Sequence, residues 1–238
     1  MVNMPAQRPD GNSTGAELFR PALPRPQLDA SGTMVDAGDK WVKVRQVAQQ
    51  PELFVLSNLL SAGECEMLMA AAKPRLLRSR TINTTTGGEA LNRDRTSHGM
   101  FFSRAELEVV RRIEARTARL LRWPLKNFEG LQVLRYRQGA QYRPHYDYFG
   151  ADEPATPALL MRGGQRVATV IMYLNAPGGG GATVFPDLDL RVEPTPGSAV
   201  FFNYAQAHPA SLSLHGGEPV TAGEKWVATL WLRERQFN

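Results

Sequence analysis

The chain has 238 residues, 42% of them apolar and 21% charged, the composition of a globular protein able to bury a full core. A single cysteine, Cys65, excludes an intrachain disulfide framework, argues against thiolate zinc or iron–sulfur sites, and agrees with a cytoplasmic setting. The net charge of +5 would suit an acidic partner, but arginines and glutamates alternate along Arg104–Glu106–Glu108–Arg111–Arg112–Glu114, a solvated-face pattern that speaks against nucleic acid.

Residues 1–38 are rich in Pro, Gly, Ser and Asp and carry no apolar period, so a flexible N-terminal arm is expected there. They lack the charged-then-apolar layout of a secretory signal, and no later run approaches the ~20 apolar residues of a membrane span. A single domain is expected over 39–238, with helical support over 57–123 and a strand core over 130–234. Ser61-Ala-Gly-Glu64 has the form of a capping box, and Cys65, Leu68, Met69 and Ala72 follow at helical spacing. A second box, Ser103-Arg-Ala-Glu106, opens a stretch in which Leu107, Val110, Ile113, Thr117 and Leu120 share a face, with Pro124 marking its end.

After residue 130 the period changes from helical to alternating. Leu131–Arg137, Gln141–Tyr148, Val167–Leu174, Thr183–Phe185, Ala199–Tyr204 and Lys225–Arg233 read as short strands separated by Pro/Gly turns. Helices gathered before many short strands predict an α+β, mainly β fold: a sandwich or jelly roll buttressed on one face.

Residues i and i+2 of a strand project to the same side, so His145 and Asp147 point together. An imidazole and a carboxylate at that spacing are part of a facial triad, which leaves coordination positions open for a co-substrate and oxygen. Two histidines can complete it, His208 and His215; His98 precedes the strands, and His208 in His-Pro-Ala has a loop pattern. Beyond His215, Lys225, Val227, Thr229 and Trp231 fall on one strand face. An inward lysine is costly unless it meets an anion, which the far carboxylate of a dicarboxylic co-substrate would supply.

In order and spacing, the chain resembles the catalytic domain of prolyl 4-hydroxylases, within the 2-oxoglutarate/iron(II) dioxygenases. The matching segments are Arg95-Thr-Ser-His-Gly99, Tyr136-Arg-Gln-Gly139, Tyr142-Arg-Pro-His-Tyr-Asp-Tyr-Phe149, Gly163-Gly-Gln-Arg-Val-Ala-Thr169 with Met172-Tyr-Leu-Asn175, Gly180-Gly-Ala-Thr-Val-Phe-Pro186, Ser213-Leu-His215 and Gly223-Glu-Lys-Trp-Val-Ala-Thr-Leu-Trp231. The resemblance implies a double-stranded β-helix (jelly-roll) core with helices outside it. It implies Fe(II) held by His145, Asp147 and His215, and 2-oxoglutarate bound by Lys225, Thr183 and Tyr136. Oxygen would be the second co-substrate and ascorbate (L-ascorbic acid) the reductant. Residues matching Arg166 and Trp231 line the family's substrate groove, and those matching Tyr142, Arg95 and Ser97 lie close to it. Two departures stand out. Ala182 replaces an acid common in the family, and the Gly178–Gly181 run is long, which predicts a looser loop.

The implied reaction is hydroxylation of an unactivated C–H bond, coupled to decarboxylation of 2-oxoglutarate to succinate. The leading substrate is a prolyl residue in a peptide or protein. A free amino acid or other small molecule is the alternative, favoured if residues 150–163 close as a lid. A non-catalytic cupin-like metal-binding module is the remote alternative, disfavoured by the co-substrate residues. Monomer and homodimer are both compatible with the sequence.

Overall fold

The computed structural model describes residues 22–82, 86–91 and 94–238. Of the expected arm, residues 1–21 lie outside the described residues. Within 22–38 the chain is tied down: Met34–Asp36 forms a strand paired with Trp41–Ala48, and Leu23 and Leu28 pack on the core. Two isolated leucines bury area without establishing a period, which is why composition alone gave them no structure.

Among the described residues, nine antiparallel strands form one sheet. Its order is Met34–Asp36, Trp41–Ala48, Leu53–Ser57, Ala199–Asn203, Arg166–Tyr173, Glu224–Arg233, Leu131–Arg137, His98–Phe102 and Leu77–Arg78. A four-stranded sheet, ordered Leu190–Val192, Thr183–Phe185, His215–Gly217 and Tyr142–His145, makes the second wall of the jelly roll. The expected strands after residue 130 all form, with ends shifted by a few residues, Gln141–Tyr148 shrinking to Tyr142–His145. The large sheet also extends into residues 34–57 and 77–102, so the expected helical support contains strands as well as helices.

The central strand Glu224–Arg233 shows how the sequence specifies two faces. Trp226, Ala228, Leu230 and Leu232 belong to one buried cluster, shared with Leu68 of helix α1 (Ala62–Ala72) and with Val110 and Ile113 of helix α2 (Glu108–Leu120). Val227 joins Phe185, Val192, Phe202 and Val220 in a second cluster with residues of the smaller sheet. Each such apolar side chain contributes ~1.5–3 kcal/mol when fully buried, so a one-residue register slip that exchanged the faces would be prohibitive.

The first capping box is present as expected. Ser61 accepts from the Glu64 backbone N–H, and the Glu64 carboxylate accepts from the Ser61 N–H at 2.8 Å. Glu64 also takes Arg116 of α2 at 2.7 Å, with Asp39 on the same guanidinium at 2.6 Å, which locks the two helices together. Ser61→Ala should cost about 1 kcal/mol, read as a lowered midpoint in urea unfolding with an unchanged slope.

The second box is a correction. Ser103 and Glu106 do bond each other, the Ser103 N–H to the Glu106 carboxylate at 2.8 Å, but they cap no helix. Ala105 lies at φ 56°, a left-handed conformation that a right-handed helix excludes. Glu106 is engaged by Arg75 at 2.5 Å, and α2 begins at Glu108 with no side-chain cap. The Gly178–Gly181 run is not loose either. Gly179–Gly180 pairs with Val220–Ala222, and a Cβ on Gly180 would stand 2.3 Å from the Pro219 carbonyl. No helix among the described residues is long and apolar enough to cross a membrane.

Candidate functional site

Two strands of the smaller sheet bring the histidines together. His145 and His215 are cross-strand partners, and a bulge between His215 and Gly217 adjusts the register beside them. Gly216 permits this approach, since a Cβ there would stand 3.0 Å from the Tyr142 carbonyl oxygen and 3.0 Å from the Pro144 nitrogen. Pro144 is tolerated because its strand is at the sheet edge, where a missing N–H leaves no ladder bond broken. Asp147, two residues past His145, completes a group whose ligating atoms all lie within 4.8 Å of one another.

The surroundings fix how these groups present themselves. His145 Nδ1 lies 2.9 Å from the Arg143 carbonyl and His215 Nδ1 3.0 Å from the Ser213 carbonyl. A carbonyl only accepts, so each Nδ1 carries the proton and each Nε2 turns a lone pair inward. Burial lowers the His145 pKa, and His215 opposite pushes the same way, which favours the neutral ligating form. Burial alone would raise the Asp147 pKa, but the two histidines outweigh it and hold the carboxyl well below its ordinary range. Thr169 donates to Asp147 Oδ2 at 2.7 Å and also bonds the Tyr204 hydroxyl. Two imidazoles presenting Nε2 and one oriented carboxylate, on one side of a pocket, suit a divalent iron with open positions.

That pocket is also lined by Lys225, Thr183, Tyr136, Arg95, Tyr142 and Trp231. Lys225 is 4% exposed, and its ammonium lies 5.6 Å from the Tyr136 ring centroid and 5.7 Å from that of Tyr173. Burial drives its pKa down to about 8, only partly opposed by Glu218 and Glu193. Thr183 accepts from the Tyr173 hydroxyl at 2.8 Å. A buried cation beside hydroxyl groups is a fitting receptor for a carboxylate.

The metal site also opens into a groove of about 920 Å³, walled on one side by helix α3 (Thr156–Met161). Arg166 is held there between the Trp231 ring (4.1 Å to the centroid) and the Phe149 ring (5.1 Å). Its guanidinium grips Glu129 in bidentate fashion at 2.7 and 2.9 Å, and Arg233 donates to the same carboxylate at 3.0 Å. Tyr142 stacks on His145 with centroids 3.6 Å apart, and Arg95 lies over Tyr142 at 4.9 Å. Ser97, expected near the substrate, is instead fully buried: its hydroxyl donates to Ser79 at 2.9 Å and it lines neither cavity. His208 is a turn residue whose Nδ1 accepts from the Ala210 N–H, and His98 sits on a strand near the far edge of the large sheet.

Sequence reasoning missed Glu129, Thr169 and Tyr204. Thr169 carried a signal, a hydroxyl in phase with Ile171 and Tyr173 on an otherwise apolar strand. Glu129 carried none. Burial would raise its pKa, but Arg166 and then Arg233 outweigh it and hold it below its ordinary value. Its contribution is therefore present above the unfolded carboxyl pKa of ~4.3 and lost as pH falls. Glu129→Gln should destabilise the protein by about 3–5 kcal/mol, because two buried guanidiniums lose their counter-ion; an unchanged denaturation midpoint would contradict that.

Residues 131–233 match the model of the 2OG-Fe(II) oxygenase superfamily. The chain is 40% identical over 231 residues to prolyl 4-hydroxylase 5 of Arabidopsis thaliana, covering 88% of this chain and 77% of that one. It is 41% identical to prolyl 4-hydroxylase 1 of the same plant, covering 82% and 73%. Among solved structures, the viral collagen prolyl hydroxylase of Paramecium Bursaria Chlorella virus-1, in its 2OG complex, superimposes with a TM-score of 0.59. That match has 34% identity over 76% of this chain and 95% of the viral one.

Proposed function

The chain belongs to the prolyl 4-hydroxylase family of 2-oxoglutarate/iron(II)-dependent dioxygenases, and from that premise we propose that it hydroxylates C4 of a proline residue within a peptide or protein. Its cofactors are iron(II) and 2-oxoglutarate. When bound, the iron couples oxidative decarboxylation of 2-oxoglutarate to insertion of an oxygen atom into a C–H bond.

In this reading His145, Asp147 and His215 hold the metal, each imidazole fixed by its carbonyl and the carboxylate by Thr169. Lys225, with Thr183 and Tyr136, receives the distal carboxylate of 2-oxoglutarate and so sets which end of the molecule faces the metal. Arg166, immobilised by Glu129 and sandwiched between Phe149 and Trp231, positions the substrate over the site. Arg95 and Tyr142 form the neighbouring wall. Trp231 adds a buried indole N–H without a hydrogen-bond partner beside the groove.

The observation that carries the peptide reading is the groove of about 920 Å³ running past the metal ligands, far larger than a free proline requires. The viral and plant relatives, named as prolyl hydroxylases, support the same substrate class. Purified protein supplied with iron(II), 2-oxoglutarate and oxygen should add one oxygen to proline-containing peptides, detected by mass spectrometry, and should leave free proline unchanged. Hydroxylation of free proline alone would turn the reading to the small-molecule alternative. Absence of succinate with every substrate would remove the enzyme reading altogether.

A further inference from the structure

The groove is unusually cationic for a surface meant to hold a proline ring. Arg80, Arg95, Arg104, Arg162 and Arg166 line it, against three carboxylates: Glu129, Asp147 and Glu153. Asp147 is one of the three candidate metal ligands, and Glu129 is shared by Arg166 and Arg233. The charge balance of the groove floor is therefore positive before any substrate arrives.

Two of these guanidiniums are held in place without being neutralised. Arg104 donates to the carbonyls of Lys126 at 2.6 Å and Phe237 at 2.9 Å. Arg95, 5% exposed, donates to the Gln132 side-chain oxygen at 2.8 Å and to the Arg80 carbonyl at 3.5 Å, and its buried Nε has no partner. Arg162 lies over the Phe237 ring at 4.8 Å. Neutral acceptors orient a guanidinium but leave its full charge to act on whatever enters. Arg95 forms one part of the lining with Arg80 and Tyr142; Arg104 and Arg162 form another, beside Phe237.

Building on the peptidyl-proline reading above, we propose that the groove selects acidic peptides, ones with glutamate or aspartate flanking the target proline. The carboxylates of the peptide would pair with Arg95 and Arg80 in one part of the groove and with Arg104 and Arg162 in the other. A lysine in the same places would meet unbalanced positive charge. Selection would act mainly on encounter and binding, so it belongs to KM and falls with ionic strength.

The test uses the wild-type protein and one proline peptide in three forms, with Glu, Gln or Lys at the flanking positions, first on one side of the proline and then on the other. At low salt, kcat/KM should rank Glu above Gln above Lys. The Glu form should lead the Gln form by about tenfold, the scale of one charge-assisted bond. The advantage should sit in KM and shrink as sodium chloride is raised. Arg80→Gln with Arg104→Gln should pull the Glu-to-Gln ratio toward one, with the thermal midpoint measured alongside to show that the variant is folded. Equal kcat/KM for the Glu and Gln forms, or preference for Lys, would overturn the proposal while leaving prolyl hydroxylation intact. Failure to hydroxylate all three forms would count against the parent reading instead.

Discussion

His145→Ala should reduce 2-oxoglutarate turnover by at least about a thousandfold, or ~4 kcal/mol in the barrier, with the fold retained. The size follows from what the imidazole provides. His145 presents an Nε2 lone pair whose direction is set by the 2.9 Å bond from its Nδ1 to the Arg143 carbonyl. Removing it leaves Asp147 and His215 as a two-point site, too weak to hold the metal against its hydration shell. The fold should survive because the strand Tyr142–His145 is at a sheet edge and His145 is only partly buried. Asp147 is a worse choice for this test. Its loss would also take away the acceptor that Thr169, at the centre of the large sheet, donates to, and leave that hydroxyl with Tyr204 alone. Succinate release, metal content after dialysis and a thermal melt together read the outcome. Retained metal with wild-type succinate formation would mean that the ligand assignment is wrong.

The parts of this site that could be read from sequence are those that depend on one strand at a time. Lys225, Thr229 and Trp231 share a face because a strand has period two, and that phase survives whatever the strand pairs with. Asp147 follows His145 by the same rule. What could not be read depends on which strands meet. His145 faces His215 only because the register of two strands distant in sequence, adjusted by a bulge, puts them opposite. The choice between His208 and His215 rested on loop pattern and resemblance for that reason. Arg166 and Arg233 are the ends of two paired strands and Glu129 lies just before a third, so they meet through sheet order alone. The second capping box shows the opposite failure. Only half of the box forms, the Ser103 N–H to the Glu106 carboxylate, while the Glu106 N–H turns to the Ser103 carbonyl; a left-handed Ala105 and the pull of Arg75 on Glu106 make the segment a turn before the helix.

Lys225→Met should weaken 2-oxoglutarate binding steeply and at the same time make the free protein more stable. Burial lowers the Lys225 pKa from 10.5 to about 8, so keeping the ammonium charged at neutral pH costs on the order of 3 kcal/mol. Between pH 8 and 10.5 the unfolded chain holds a proton that the folded chain has released. The free wild-type protein should therefore gain stability as pH rises through that window. Methionine removes the charge at similar length, so the variant should melt higher at pH 7 and lose that slope. Ligand binding should move the other way. A carboxylate recovers the desolvation cost through charge-assisted bonds, and its loss should raise KM for 2-oxoglutarate by about a hundredfold. In the wild type, kcat/KM for 2-oxoglutarate should fall as pH rises through about 8, because only the cation receives the dicarboxylate; the methionine variant should show no such limb. A variant that binds 2-oxoglutarate normally would place the anchor elsewhere. One that binds weakly without gaining stability would mean that the buried charge is balanced in the free protein by something other than the co-substrate.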